Sequence, residues 1–371
     1  MGKDYSSVME YSPGQRLREL PGPLLITGHT GFKGTWMTFL LEHLNIPAIG
    51  YSLPPDKDSI FDRASRVGAI PEVFADVRDY DALEKFVDIH NPSTIIHMAA
   101  QPLVLESYEK PRETFDVNVM GTVNLLDIAF KKSCVKAIII VTTDKVYRND
   151  NSGKGFTESD PLEGKDPYSA SKVGTESVVA AWQHIARVSG GPKVTSVRAG
   201  NVIGGGDFAK DRIVPDLIRG MLTGEMVVIR NPYSTRPWQH ALDPLFGYLQ
   251  TLEGLISGKE FSNLNFGPQE EDLTVKSLVQ IAQEFLSSKD IELKIQEMPV
   301  SGSEAESTLL NIDSRKATQM LNWTPVWGPK ESIIKTFEWW QKYSIEPSTI
   351  EKIISSDVSD YLSHISSSKL K

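Results

Sequence analysis

Residues 24–44 constrain the fold more than any other stretch of this chain. Leu24-Leu-Ile26 is a short apolar run, and Thr27-Gly28-His29-Thr30-Gly31-Phe32-Lys33-Gly34 comes directly after it. Phe32, Trp36, Phe39, Leu40 and Leu44 then recur at helical spacing. A strand that empties through glycines into a helix brings backbone N–H groups and the positive helix end to one point, which suits a pyrophosphate. Glycines at 28, 31 and 34 give G-x-x-G-x-x-G, a spacing that differs from the G-x-G-x-x-G of simple dehydrogenases. The alternative is a plain tight turn with helix-packing glycines. Strand and helix context on the two sides favours the dinucleotide site.

Residues 46–131 keep up the alternation of strand and helix. Ile46–Tyr51 reads as a second strand, but Ser52-Leu-Pro-Pro55 stands where ribose recognition usually calls for an acid. Asp56 lies just beyond, so the choice between NAD and NADP stays open by this rule. Val73–Ala75 leads into Asp76-Val77-Arg78-Asp79, which offers a carboxylate to an adenine amine or an N-cap to a helix over Asp81–Ile89. Thr94–Met98 is a strand that empties into Ala99-Ala100-Gln101, small enough to let a cofactor approach; His97 within it reads as a packed side chain. A helix from about Arg112 to Lys131 holds Asn118 in its middle, a costly place unless the amide is used. The pattern predicts an α/β chain: a Rossmann-type doubly wound parallel sheet with ligands at the strands' carboxyl ends, and a smaller, mixed C-terminal substrate-binding domain. The expected divisions are a leader over 1–22, the dinucleotide-binding domain over 23–200, a mostly substrate-binding region over 201–346 with segments returning to the first domain, and a tail over 347–371. The tail, with a weak apolar pattern at Ile350, Ile353, Ile354, Val358 and Leu362, predicts a peripheral helix or loose end.

The chemistry concentrates between Val141 and Lys172. The apolar run Ala137–Val141 ends in Thr142-Thr143-Asp144-Lys145, and Tyr168-x-x-x-Lys172 opens a helix after it. Tyrosine and lysine four apart share a helical face, where the ammonium can stabilise a phenolate and lower a pKa that starts near about 10. Further on, Arg198-Ala-Gly-Asn201 ends a strand, Arg212 precedes a helix, and Arg236-Pro-Trp238-Gln-His240 forms a loop rich in hydrogen-bonding groups. Arg236 beside Trp238 is either a phosphate clamp or an exposed arginine next to a buried tryptophan.

Other classes are disfavoured. A net charge of -9 without a basic run argues against nucleic acid, and the single cysteine, Cys134, leaves no disulfide framework or multi-cysteine metal site. No metal ligand set is expected. No stretch of about 18 apolar residues suggests a membrane span, and a cytoplasmic protein is the expectation.

Taken together, these motifs resemble the extended short-chain dehydrogenase/reductase family over about residues 24–345. Its broad features are Thr27–Gly34, Asn118-Val-x-Gly-Thr and Tyr168-x-x-x-Lys172. Within it the chain is similar to nucleotide-sugar 4,6-dehydratases, most of all those acting on CDP-glucose. That narrower likeness rests on Gly28–Gly34, Gly50-Tyr-Ser-Leu-Pro-Pro55, Thr143-Asp144-Lys145 and Arg236–His240. Dehydratases acting on dTDP-glucose or GDP-mannose carry Asp-Glu where this chain has Asp144-Lys145, and epimerases lack the acid–base pair.

The resemblance implies tightly bound NAD, recycled in each turnover, and CDP-glucose as substrate. It assigns Tyr168 as base for the sugar O4, Thr143 as hydrogen-bond partner of that oxygen, Lys145 as base at C5, Asp144 as acid at O6, and Lys172 as support for Tyr168. Candidate cofactor contacts are Gly28, Thr30, Gly31, Phe32, Lys33, Gly34, Asp76, Val77, Ala99, Ala100, Gln101, Asn118, Tyr168 and Lys172. Candidate substrate contacts are Asn201, Arg212, Arg236 and His240. The family's habit of pairing the helices around 112–131 and 168–188 implies a homodimer or a dimer of dimers. A non-catalytic NAD sensor on the same fold needs none of Asp144, Lys145, Tyr168 and Lys172; an epimerase or reductase needs no Asp144-Lys145 pair.

Overall fold

The computed structural model describes residues 12–209, 212–270, 273–298 and 309–368. Strands β1 (Leu24–Thr27), β2 (Ala48–Ser52), β3 (Glu72–Phe74), β4 (Thr94–His97), β5 (Ala137–Val141), β6 (Lys193–Ala199) and β7 (Asn263–Phe266) form one sheet in the order β7-β6-β5-β4-β1-β2-β3. Every pairing in it is parallel. Strand order reverses at β1, which has β4 on one side and β2 on the other, so the crevice for a ligand opens there.

The strands are apolar on both faces because both are covered. Leu24, Ile26, Ile139 and Val141 point to one layer, and Leu25, Ile95, Ile138 and Ile140 to the other. The first layer is built by helices α1 (Phe32–His43), α6 (Leu242–Ile256), α8 (Pro329–Ile345) and α9 (Ile350–Ser368). The second is built by α2 (Tyr80–His90), α3 (Gly121–Phe130) and α4 (Pro167–Ser189). Each fully buried Leu, Ile or Phe contributes about 1.5–3 kcal/mol, so these two layers carry the fold.

Beyond β6 the architecture is mixed, as expected. Short pairs join Val202–Ile203 to Gln239–His240, Thr235–Arg236 to Leu273–Thr274, and Val227–Ile229 to Ile295–Glu297. Helices α5 (Ile213–Thr223) and α7 (Val275–Ser287) pack around them. β7 and α6 return to the main sheet and its core.

Three expectations gain detail. The tail is the helix of its two alternatives, but not a peripheral one: in α9, Ile350, Ile353, Ile354, Val358, Tyr361 and Ile365 are buried in the first layer, and Tyr361 Oη donates to Asp243 Oδ1 at 3.0 Å. The leader is anchored over its described part. Leu17 is buried in the same layer, and Arg18 donates to the carbonyls of Pro13 and Leu44, both at 2.9 Å. Residues 1–11 lie outside the described residues. The expected helix over 112–131 is three pieces, with a π-turn at Asp116–Met120 between helical turns. No helix among the described residues is long and apolar enough to cross a membrane.

Candidate active site

At the carboxyl end of β5 the chain makes a single 3₁₀ turn over Asp144–Val146, capped by Thr143, whose Oγ1 accepts from Lys145 N at 3.3 Å. The same hydroxyl donates to Asp144 Oδ1 at 3.1 Å. Opposite stands α4, which Asp166 caps by accepting from Ser169 N at 2.9 Å and which Pro167 opens with its fixed φ. Tyr168 and Lys172 lie on its buried face, and Lys172 Nζ donates to the Val141 carbonyl at 3.1 Å. That contact fixes helix against turn.

Burial dominates the electrostatics here. It raises the Asp144 carboxyl above the carboxylate range, with Lys145 and Arg236 pulling the other way, and Asp144 Oδ2 has no partner among the described residues. Burial pushes the Tyr168 phenol up to about 12, opposed by the neighbouring Thr143 and Arg212. Lys172 is brought down to about 7 by burial first and then by Lys33. The expected Lys172–phenolate pairing is not made in this structure: Lys172 serves the Val141 carbonyl, while Thr143 and Arg212 are the neighbours that oppose the rise of Tyr168.

The glycine turn makes a cradle at the β1–β4 switch. Gly28 has φ +75, and a Cβ on it would come within 2.7 Å of Ala99 N; a Cβ on Gly34 would come within 2.2 Å of the Gly28 carbonyl. Gly31 starts α1 without a side-chain cap, leaving the first amides of the helix for an anion. Thr30 ties the turn to the end of β2 through Ser52 Oγ at 2.7 Å and the Leu53 carbonyl at 3.1 Å. Ala99, Ala100 and Gln101 line the neighbouring strand end half-buried, beside buried Val77 and half-buried Phe32. A cradle that any Cβ would fill, facing open helix amides, fits a dinucleotide's pyrophosphate.

Several expected cofactor residues act differently. Asp76 is held by Arg78, through Nε at 3.0 Å and Nη2 at 2.6 Å, while Asp79 of the same stretch caps α2, as the N-cap reading expected. Asn118 uses its whole amide within the protein. Its Oδ1 accepts from Gln101 N at 2.8 Å, and Nδ2 donates to the Gln101 carbonyl at 3.1 Å and to Ser171 Oγ at 2.8 Å. It braces the cofactor-side loop from the π-turn rather than facing the crevice. Lys33 reaches past the turn to lie 5.7 Å from the Tyr248 ring centroid, and burial together with Arg212 lowers it to about 8.

On the substrate side, Arg236 is buried, donates to the Thr235 carbonyl at 2.8 Å and acts on Asp144. Arg212 pairs with Asp207 at 3.1 Å and acts on both Tyr168 and Lys33. Half-buried Asn201 contributes its carbonyl to Gln239 N at 3.0 Å. His240 does not belong to the site. It is fully buried between Trp36 and Trp327, ring centroids 5.3 and 4.7 Å away, and burial drives it down to about 3. His97 is packed as expected, its Nδ1 2.7 Å from Thr27 Oγ1.

Two features of the site leave little or no trace in the sequence. Tyr248, on α6, is buried under Lys33 with a hydroxyl that has no partner among the described residues. Beneath the turn, Glu176 and Arg198 form a buried ion pair at 2.8 Å. Its one sequence signal is Glu176 four residues after Lys172, on the same helical face.

The chain's likeness to known proteins is specific. Residues 25–336 match the family described as GDP-mannose 4,6 dehydratase. The chain is 37% identical over 348 residues to CDP-glucose 4,6-dehydratase of Salmonella typhimurium, covering 92% of this chain and 96% of the relative. A dTDP-glucose 4,6-dehydratase of Bacillus anthracis in complex with NAD shares the fold with a TM-score of 0.73 at 21% identity, over 88% of this chain and 98% of that one. A UDP-glucose 4-epimerase of Thermotoga maritima with UDP-glucose gives a TM-score of 0.74 at 23% identity, over 86% and 99%. On the extent of that family match and on the identity to the Salmonella protein, the chain belongs to the GDP-mannose 4,6 dehydratase family.

Proposed function

We propose that the chain converts CDP-glucose to CDP-4-keto-6-deoxyglucose and water. The observation that carries this reading is the meeting of two chemistries: Tyr168 on α4 with Thr143 opposite it for oxidation at C4, and Asp144-Lys145, directly after Thr143 on the same turn, for elimination across C5–C6. A simple dehydrogenase or an epimerase has no use for the second pair. The identity to the Salmonella enzyme supports the cytidine nucleotide.

The glycine cradle, Ala99–Gln101, Tyr168 and Lys172 would hold NAD, which would supply a hydride acceptor for the sugar C4 and a hydride donor for C6. Tyr168 takes the O4 proton, and Thr143 holds the same oxygen. Lys145 takes the proton from C5, made acidic by the neighbouring ketone, and gives a proton back to C5 when C6 is reduced. Asp144, whose protonated form burial favours, gives its proton to the C6 hydroxyl as water leaves. Arg236 and Arg212 hold the diphosphate as charge-assisted donors. The exposed apolar side chains Phe115 and Met120 on one helical stretch, and Ile185 and Val188 on α4, support a homodimer. The setting is cytoplasmic in this reading.

The test is separate incubation with CDP-glucose, dTDP-glucose and GDP-mannose, with product scored by mass. Loss of water from CDP-glucose without net accumulation of reduced cofactor is expected. Steady cofactor reduction, or no dehydrated product from CDP-glucose, would overturn the reading.

A further inference from the structure

The proposed chemistry makes no use of the buried charges beneath the catalytic turn. Glu176 lies on α4 two turns after Tyr168 and one after Lys172. Arg198 on β6 donates to it through Nε at 2.9 Å and Nη2 at 2.8 Å. Two hydroxyls complete the set: Thr142 Oγ1 donates to Oε1 at 2.5 Å, and Ser196 Oγ to Oε2 at 2.6 Å. The carboxylate thus has four donors and one available arrangement.

Arg198 has a second engagement. Its Nη1 donates to the Tyr147 hydroxyl at 2.8 Å, and that hydroxyl donates onward to Asn265 Oδ1 on β7 at 2.7 Å. Asn265 Nδ2 closes the chain on the carbonyls of Phe156 and Asp313, at 2.9 and 3.1 Å. Thr142 and Tyr147 are the two residues that flank Thr143–Val146. One ion pair therefore grips the catalytic turn at both ends.

Stability alone does not account for such a pair. Desolvating a carboxylate and a guanidinium costs several kcal/mol each, and an apolar replacement of similar volume is often as stable. A fully satisfied polar network does define one geometry, and the step it defines here is local. The upstream end borders Thr143, and Thr142 itself is tied to α4 through Glu176; the downstream end comes directly after Asp144-Lys145-Val146.

We infer that the Glu176–Arg198 pair is a positioning device that holds the turn in register with Tyr168. Its Thr142 end serves the oxidation, and its Tyr147 end serves the elimination. This deepens the proposed function and rests on it.

Replacing Glu176 would strand a buried arginine and risk misfolding, so the ends are tested rather than the pair. Thr142→Val, Thr142→Ser and Tyr147→Phe are compared with wild type in single turnovers of CDP-glucose with NAD in deuterated water. Three quantities are read: 4-keto product formed, deuterium at C5, and water lost. Melting temperatures are measured alongside.

Tyr147→Phe should slow C5 exchange and water loss by about tenfold or more while oxidation stays near wild type. Thr142→Val should slow oxidation by a similar factor, and Thr142→Ser, which keeps the hydroxyl, should restore it. Variants that slow both steps equally, in proportion to a lowered melting temperature, would make the pair ordinary core and overturn the inference. So would variants that change neither step. Wild-type protein that leaves CDP-glucose unaltered is a different result: it overturns the proposed function, and this inference with it.

Discussion

In the proposed function Asp144 and Lys145 decide which reaction the site can finish, because oxidation alone leaves a ketone and a reduced cofactor. Burial favours the protonated Asp144 carboxyl, the form an acid at O6 requires. Asp144→Asn keeps the size and the neutral charge but has no proton to give. Its overall turnover should fall by about 10²–10⁴-fold, with oxidation at C4 retained, as seen by trapped 4-keto-glucose. Lys145→Met should stop deuterium entry at C5 in deuterated water; exchange at the wild-type rate would pass the base role to Tyr168 or a water. A second residue-scale prediction comes from Lys172 and Lys33. Unfolded, each keeps its proton to about 10.4, whereas folded they release it at about 7 and about 8. Between those values the unfolded chain binds more protons, so the stability of the cofactor-free protein should rise with pH from about 7 to 10. The slope is at most about 1.4 kcal/mol per pH unit for each lysine. Thermal melts across this range should show a smaller slope for Lys172→Met than for wild type, and equal slopes would refute the assignment. Much of this site was legible in the residues. Gly28, Gly34, Thr143, Tyr168 and Lys172 sit where strand ends and helix starts had to put them. Asp76 and Asn118 spend their polar groups on partners that folding brings close, Arg78 for the first and Gln101 and Ser171 for the second, whereas His240 is packed between tryptophans with its Nε2 unpartnered among the described residues.

At the scale of elements, the regular pattern was readable where the hydrophobic period was clean, and was lost where polar residues fill an internal face. Ala137–Val141 is apolar throughout and could only be a strand covered on both sides. The segment around Asn118 reads as one helix by composition, yet it contains a π-turn that swings the amide toward Gln101. In α9 the serines hide the stripe, and the polar contacts that complete it, Tyr361 on Asp243 and Lys335 on Asp360 at 2.6 Å, depend on α6 and α8 being in place. The element is thus a wall of the core that its own sequence under-reports. Removing residues 350–371 should leave a chain that aggregates or melts far below wild type, since six buried apolar side chains are lost from the first layer. Tyr361→Phe asks the finer question. It takes one donor from Asp243, whose carboxyl burial already pushes up to about 7, and should cost about 1–3 kcal/mol in urea denaturation at neutral pH. No change in midpoint would mean that the hydroxyl contact does not hold the helix.

For the molecule as a whole, the division into a cofactor domain and a substrate region is softer than alternation along the sequence implies. The first apolar layer runs without a break from β1 through α6 to α9, because β7 and α6 re-enter the sheet after the chain has left it. Re-entry of that kind is a long-range event with no local signature, and only a family resemblance could anticipate it. The outer surface is where the molecule's own composition points beyond one chain. Phe115 is 41% exposed, Met120 48%, Ile185 40% and Val188 71%, on helical stretches that pack against each other. The proposed homodimer would use these exposed apolar side chains, a two-fold axis letting each copy cover the other's helices. The buried face of α4 holds Tyr168 and Lys172 while its exposed face holds Ile185 and Val188, so pairing would steady the catalytic helix from outside. Light scattering on the purified chain should therefore give about twice 41.2 kDa. The double variant Phe115→Asp, Ile185→Asp should give the monomer mass with an unchanged far-ultraviolet spectrum. A wild-type chain that runs as a monomer at micromolar concentration would sink the dimer, whatever the variant does.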